Sequence, residues 1–144
     1  MMLQPQTSVL GLDIGNVRIG VARASWPDGI PTRLTVLAND ATLSSKLAQL
    51  VASENSVFLV AGLPRSLEGR ETDQTRLTRT LVDSLRQELK LPIYLQDEAG
   101  TSLKAEAELR STNKNYLKSD IDQLSAVYIL EDFMNDHKGG KNLG

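Results

Sequence analysis

Residues 8–25 read SVLGLDIGNVRIGVARAS, and their reading decides the fold. The segment 8–14 is apolar enough for a buried strand, and 18–25 repeats that character. Gly15 and Asn16 between them suit a tight hairpin. One carboxylate, Asp13, falls at the end of the first strand, where the chain is about to turn. An acid there is a turn device, part of a phosphate loop, or one ligand of a metal site.

The pattern extends outward from this hairpin. WPDGIPT (26–32) is a turn cluster, and RLTVLA (33–38) supplies a third strand of an antiparallel meander. Leu43, Leu47, Leu50 and Val51 then recur at helical spacing behind Asn39 and Asp40. SVFLVAGLP (56–64) is a continuous apolar run, as in a central strand covered on both faces. Leu77, Leu81, Leu85 and Leu89 predict a helix over about 72–90. Pro92 ends it, and PIYLQDE (92–98) reads as a fifth strand. Helical patterns return over about 101–111 and 119–135. The order β-β-β-α-β-α-β-α-α predicts an α/β fold, with one mixed five-stranded sheet and helices packed on its faces. Both LDIG and LQDE put acids at the C-terminal ends of apolar strands, the edge where α/β sheets form ligand sites.

Composition narrows the chemistry. The chain has 144 residues, 40% of them hydrophobic and 24% charged, enough for one domain with a real core. The domain is expected over 1–138, with 139–144 of HKGGKNLG as a flexible tail. No cysteine is present, which excludes disulfides, thiolate zinc sites and cysteine nucleophiles. The single histidine, His137, adjoins that tail, so acid–base or metal chemistry must rest on carboxylates. No stretch is long and apolar enough for a membrane span. MMLQPQTS has neither a basic n-region nor an apolar h-region, so a cytoplasmic location is expected. A net charge of −2 means that nucleic-acid binding needs a local basic face.

The carboxylates fall on three elements. Asp13 ends the first strand, Asp97 and Glu98 end the fifth, and Asp120 and Asp122 open the last helix in KSDIDQLSAVYIL. If the first and fifth strands flank the fourth, or each other, in the sheet, their acids can converge. Asp122 shares a helical face with Ala126, Ile129 and Phe133, and an acid on a core-facing stripe carries a desolvation cost unless something pairs with it. Clustered carboxylates stay ionised only with cations nearby. Hard oxygen donors suit Mg²⁺ or Mn²⁺, which can activate water for phosphodiester cleavage. Each acid also has a structural reading. Asp13 can form a turn, Asp97 and Glu98 can be solvated, and Ser119 with Asp122 approximates a capping box.

Four segments together resemble the YqgF, or RuvX, family. LGLDIGNVRIGVA is similar to its opening Asp-x-Gly-x-x-Arg-Ile-Gly motif, and VAGLPRSLEGRE to its Gly-Leu-Pro loop with a later Gly. YLQDEAGTSLKAE resembles its Asp-Glu-Arg strand end, and KSDIDQLSAVYIL its last helix. The resemblance spans about residues 8–135. It implies a ribonuclease-H-like fold related to the RuvC Holliday junction resolvases, and a nuclease associated with maturing the 5′ end of the 16S ribosomal RNA precursor. Carried over by position, the family's acidic triad falls on Asp13, Glu98 and Asp122, which would be catalytic residues and ligands of Mg²⁺ or Mn²⁺. Arg18 matches the motif arginine, and Gly62, Leu63 and Pro64 match the loop. Ala99 stands where the family usually has arginine, and the basic stretch before the last helix is reduced to Lys114 and Lys118.

Arg65, Arg70, Arg76 and Arg79 crowd the segment after the fourth strand, and guanidinium groups suit phosphate contact. Interleaved Glu68, Glu71 and Asp73 also fit a solvated helix of mixed charge. Nucleic-acid contacts are expected at Arg18, Arg65, Arg70 and Lys118. The expected partner is nucleic acid, first ribosomal RNA precursor and next structured DNA, on a ribosomal particle or free. The protein would act as a monomer or homodimer and without a membrane. Three other classes compete. They are a Holliday junction nuclease, a non-catalytic nucleic-acid-binding module of the same fold, and an actin- or hexokinase-type ATPase, which needs two such domains.

Overall fold

A computed structural model describes residues 6–112 and 115–137. Its elements follow the expected order. They are β1 (Ser8–Ile14), β2 (Arg18–Ser25), β3 (Thr32–Ala38), α1 (Leu43–Ser53), β4 (Ser56–Arg65), α2 (Asp73–Leu89), β5 (Ile93–Ala99), α3 (Thr101–Thr112) and α4 (Lys118–Asp136). The strands form one mixed sheet in the order β3-β2-β1-β4-β5. β1, β2 and β3 are an antiparallel meander, while β4 lies parallel to both β1 and β5. The C-terminal ends of β1, β4 and β5 therefore share one edge of the sheet.

Alternation along the strands divides the core. Leu10, Leu12 and Ile14 of β1 join Leu59, Ala61 and Ile93 under α1 and α2, where Leu43, Leu47, Val82 and Leu85 close the layer. Val9 joins Ala22, Ala24, Phe58 and Val60 on the opposite face, beneath α3 and α4. Each fully buried Val, Leu or Ile contributes about 1.5–3 kcal/mol. Leu10, with no exposure and in the central strand, should lose about 2–5 kcal/mol as Ala.

Local details differ from the sequence reading. Of the four leucines in α2, Leu81, Leu85 and Leu89 pack against the core and Leu77 does not. Thr75, Thr78, Val82 and Leu85 are buried, while Leu77 is 57% exposed. A series at strict steps of four drifts by about 120° over three steps, because a helix turns every 3.6 residues. Gly62, Leu63 and Pro64 are the end of β4, not a loop, and Thr75 of α2 donates its hydroxyl proton to the Pro64 carbonyl. The cap of α4 falls on Asp120 rather than Ser119 and Asp122. The Asp120 carboxylate accepts from the Leu117 backbone N–H at 2.7 Å, and it also pairs with Arg33 of β3. Both contacts hold its pKa below the usual carboxylate range. Asp122 is thereby left for another role. Lys114 and the tail 139–144 lie outside the described residues.

Candidate active site

The turn after Asp13 is fastened from three sides. The Gly15 N–H donates to the Arg18 carbonyl at 2.9 Å. Asn39, just past β3, donates its side-chain amide to the Gly15 carbonyl at 2.8 Å. Gln74, in the first turn of α2, donates to the Ile14 carbonyl at 3.2 Å. Asp13 is thus a fixed point at the sheet edge.

The start of α4 is brought to it by a missing side chain. Gly20 pairs with Asp13 across the ladder of β1 and β2. A Cβ on Gly20 would collide with the backbone carbonyl of Asp122. Gly62 serves further along, where a Cβ would collide with Ile129 of α4. With Ala126, Ile129 and Phe133 buried against the sheet, the helix lies flat and Asp122 reaches the cavity at the edge.

On β5, the alternation of side chains separates two neighbouring acids. Glu98 shares the α4 face, and a Cβ on Gly62 would lie 3.7 Å from its Cγ. Asp97 is directed to the other face, where its carboxylate accepts from Arg65 Nε at 3.1 Å.

Asp13, Glu98 and Asp122 line one cavity of about 390 Å³ at this edge, together with Asn16, Arg65, Gln74 and Thr101. Burial, and then the charge of Asp122, push the Asp13 carboxyl up to about 7. Burial also pushes Glu98 up, to about 8, reinforced by the carboxyl of Asp132 beside it and opposed by Thr101 and Lys104. Thr101 Oγ1 donates to Glu98 Oε2 at 3.2 Å. The other oxygen, Oε1, is buried and meets no donor. Asp132 has no counterpart in the sequence reading. It lies ten residues beyond Asp122 on α4, off that residue's stripe, and only the crossing of α4 over β5 reveals it.

The donor set is all oxygen, and two partly buried carboxyls with raised pKa values are short of positive charge. Those features fit a hard divalent cation. Among the described residues, however, no three acids or histidines stand close enough to enclose one ion. The charge of Asp122 acts on Asp13, while Glu98 accepts from Thr101 and lies beside the Asp132 carboxyl. Asp13, Asp122 and Glu98 are the residues of this cavity that would hold such an ion.

The basic residues divide. Arg18 Nε donates to Asp122 Oδ2 at 2.8 Å. Arg65 lines the cavity while paired to Asp97. Arg70 and Lys118 are exposed and outside the cavity lining. Arg76 pairs with Asp73 and Arg79 with Glu71, as on a solvated surface of mixed charge.

A ribonuclease-H-like sheet with acids gathered at the ends of β1 and β5 and on α4 is the class of protein that the fold and the site define. The RuvX family, described as Holliday junction resolvase, matches residues 7–136, and the chain belongs to it. A relative from Sulfurihydrogenibium sp., provisionally named a pre-16S rRNA nuclease, is 39% identical over 130 residues, covering 88% of this chain and 89% of its own. One from Crocosphaera subtropica with the same provisional name is 35% identical over 135 residues, covering 91% and 94%. Among solved structures, T. thermophilus RuvC in complex with a Holliday junction substrate superposes with a TM-score of 0.54 at 11% identity, covering 93% of this chain and 97% of that one. At that identity the likeness establishes the shared fold.

Proposed function

We propose that this protein is a divalent-metal-dependent nuclease that hydrolyses phosphodiester bonds in maturing the 5′ end of the 16S ribosomal RNA precursor, in the cytoplasm. The observation that carries the reading is the shared cavity of Asp13, Glu98 and Asp122, with Glu98 Oε1 buried there and lacking a donor. The relatives' names supply the substrate, and RuvX membership supports the reaction class.

Asp13 and Asp122 would hold the cation, with Glu98 joining them. When bound, Mg²⁺ or Mn²⁺ supplies Lewis acidity toward the phosphate and the attacking water. The chain's own residues do the rest. The hydrogen bonds of Asn39 and Gln74 keep Asp13 fixed at the turn. Thr101 orients Glu98. Arg65 stands in the cavity wall, where its planar fork can receive a phosphate. Arg70 and Lys118 would extend the contact along the backbone of the nucleic acid.

Junction cleavage is the second reading, favoured by the RuvX description and by the fold shared with RuvC. The arginines nearest the site argue for the first reading, since Arg18, Arg33 and Arg65 are each paired to a carboxylate and form no broad basic face. The test is cleavage of labelled precursor RNA, single-stranded DNA and a four-way junction in Mg²⁺, Mn²⁺ and EDTA. Cation-dependent cutting of the RNA supports the proposal. Cutting of the junction with the RNA untouched supports the second reading.

A further inference from the structure

We propose that Arg18 is the counter-ion that holds the cation's place in the metal-free protein, and that cation binding shifts its guanidinium from Asp122 to a substrate phosphate. This inference rests on the metal-nuclease reading above. Of the described ion pairs, only Arg18–Asp122 involves one of the three acids that line the cavity at the sheet edge. The pair is only partly buried, with side chains 36% and 21% exposed, so solvent reaches it and weakens the hold on Arg18. Arg18 is the first residue of β2, directly after the turn that carries Asn16 into the cavity lining. Arg18 itself lies outside the cavity lining and meets the cavity through its bond to Asp122.

A divalent ion and a guanidinium cannot share one carboxylate without repelling each other. The ion gains Asp13, which lines the same cavity as Asp122, so it displaces Arg18. Released Arg18 then presents a planar fork that matches phosphate geometry. Metal and nucleic acid thereby strengthen each other's binding, and by linkage the effect is reciprocal. The pairing of Arg33 with Asp120 differs, because Asp120 also caps α4 and lies outside the cavity lining.

The experiment titrates Mn²⁺ into the intact protein by calorimetry, at one pH and salt, for the wild type, Arg18→Gln and Asp122→Asn. It then measures affinity for a short single-stranded RNA in EDTA and in Ca²⁺, with Ca²⁺ replacing Mn²⁺ so that binding is read without turnover. Arg18→Gln should bind Mn²⁺ roughly two- to fivefold tighter than wild type, because the competing charge is gone. Ca²⁺ should raise RNA affinity in the wild type and much less in Arg18→Gln. Arg18→Lys keeps the competing charge without the fork, so it should bind Mn²⁺ like the wild type yet show weakened coupling to RNA. Unchanged or weaker Mn²⁺ binding by Arg18→Gln, with Asp122→Asn weakened, overturns this inference alone. If the wild type takes up no Mn²⁺, or if Asp122→Asn binds it equally well, the metal reading fails and this inference with it. Undiminished RNA coupling in Arg18→Gln overturns the transfer to phosphate.

Discussion

Gly20 stands opposite Asp13 across the β1–β2 ladder, and the main chain of Asp122 occupies the space that a Gly20 side chain would fill. The distance between the two acids is therefore set by a residue that carries no functional group. Gly20→Ala should push the start of α4 off the sheet, costing about 1–3 kcal/mol and separating Asp122 from Asp13. Urea unfolding and cleavage rate, measured together, check this. A variant with full activity would show that the site does not depend on the close approach.

The acids at the end of β5 give a test between neighbours. Strand alternation directs Glu98 into the cavity and Asp97 toward Arg65 on the other face. Glu98→Gln should reduce cleavage by orders of magnitude, while Asp97→Asn should leave most of it. Equal losses in the two variants would place both acids at the chemistry.

Much of this arrangement was legible in the sequence. The apolar runs marked all five strands, because β1 and β4 are covered on both faces and leave little room for polar residues. Asp13 was conspicuous at the end of such a run. The face chosen by Glu98 over Asp97 follows from period-two alternation once β5 is placed. Asp132 was not legible, since its meeting with Glu98 depends on the angle at which α4 crosses the sheet. The cap of α4 was misassigned for a related reason. Ser119 and Asp122 have approximately the right spacing, but the anchoring of Asp120 by Arg33 comes from β3, far away in the chain. The leucines of α2 marked the helix itself, while the strict step of four carries Leu77 out of the buried face.

Stability of the metal-free protein should depend on pH with a definite sign. Asp13 rises from 3.8 to about 7 and Glu98 from 4.5 to about 8 on folding. The folded state thus binds more protons than the unfolded state between about pH 4 and pH 8, and stability falls as pH rises through that window. In EDTA the melting temperature should decline from pH 5 to pH 8. Asp13→Asn should flatten part of that decline. Added Mn²⁺ should restore stability at the high end, because it binds the folded state. A melting temperature that climbs steadily to pH 8 in EDTA would contradict the partly buried placement of these two carboxyls.

The basic residues should separate by salt dependence. Arg65→Ala with Arg70→Ala should weaken RNA binding and flatten the slope of log affinity against log salt, since fewer counterions are released. Arg76→Ala with Arg79→Ala, removing two arginines already paired on α2, should leave the slope close to wild type. Filter binding from low to moderate salt reads both. An unchanged slope in the first pair would assign Arg65 and Arg70 to ordinary solvated surface.

The central claim is that Asp13 serves chemistry rather than the turn, and the direct measurement is the cleavage rate of Asp13→Asn on labelled precursor RNA at saturating Mn²⁺. Asparagine keeps the size and the turn-forming ability of the side chain and removes its charge. The account predicts a rate lower by orders of magnitude, with a melting temperature in EDTA equal to or above wild type because repulsion from Asp122 is relieved. Full activity in the asparagine variant, or lost activity together with a collapsed melting temperature, would contradict it.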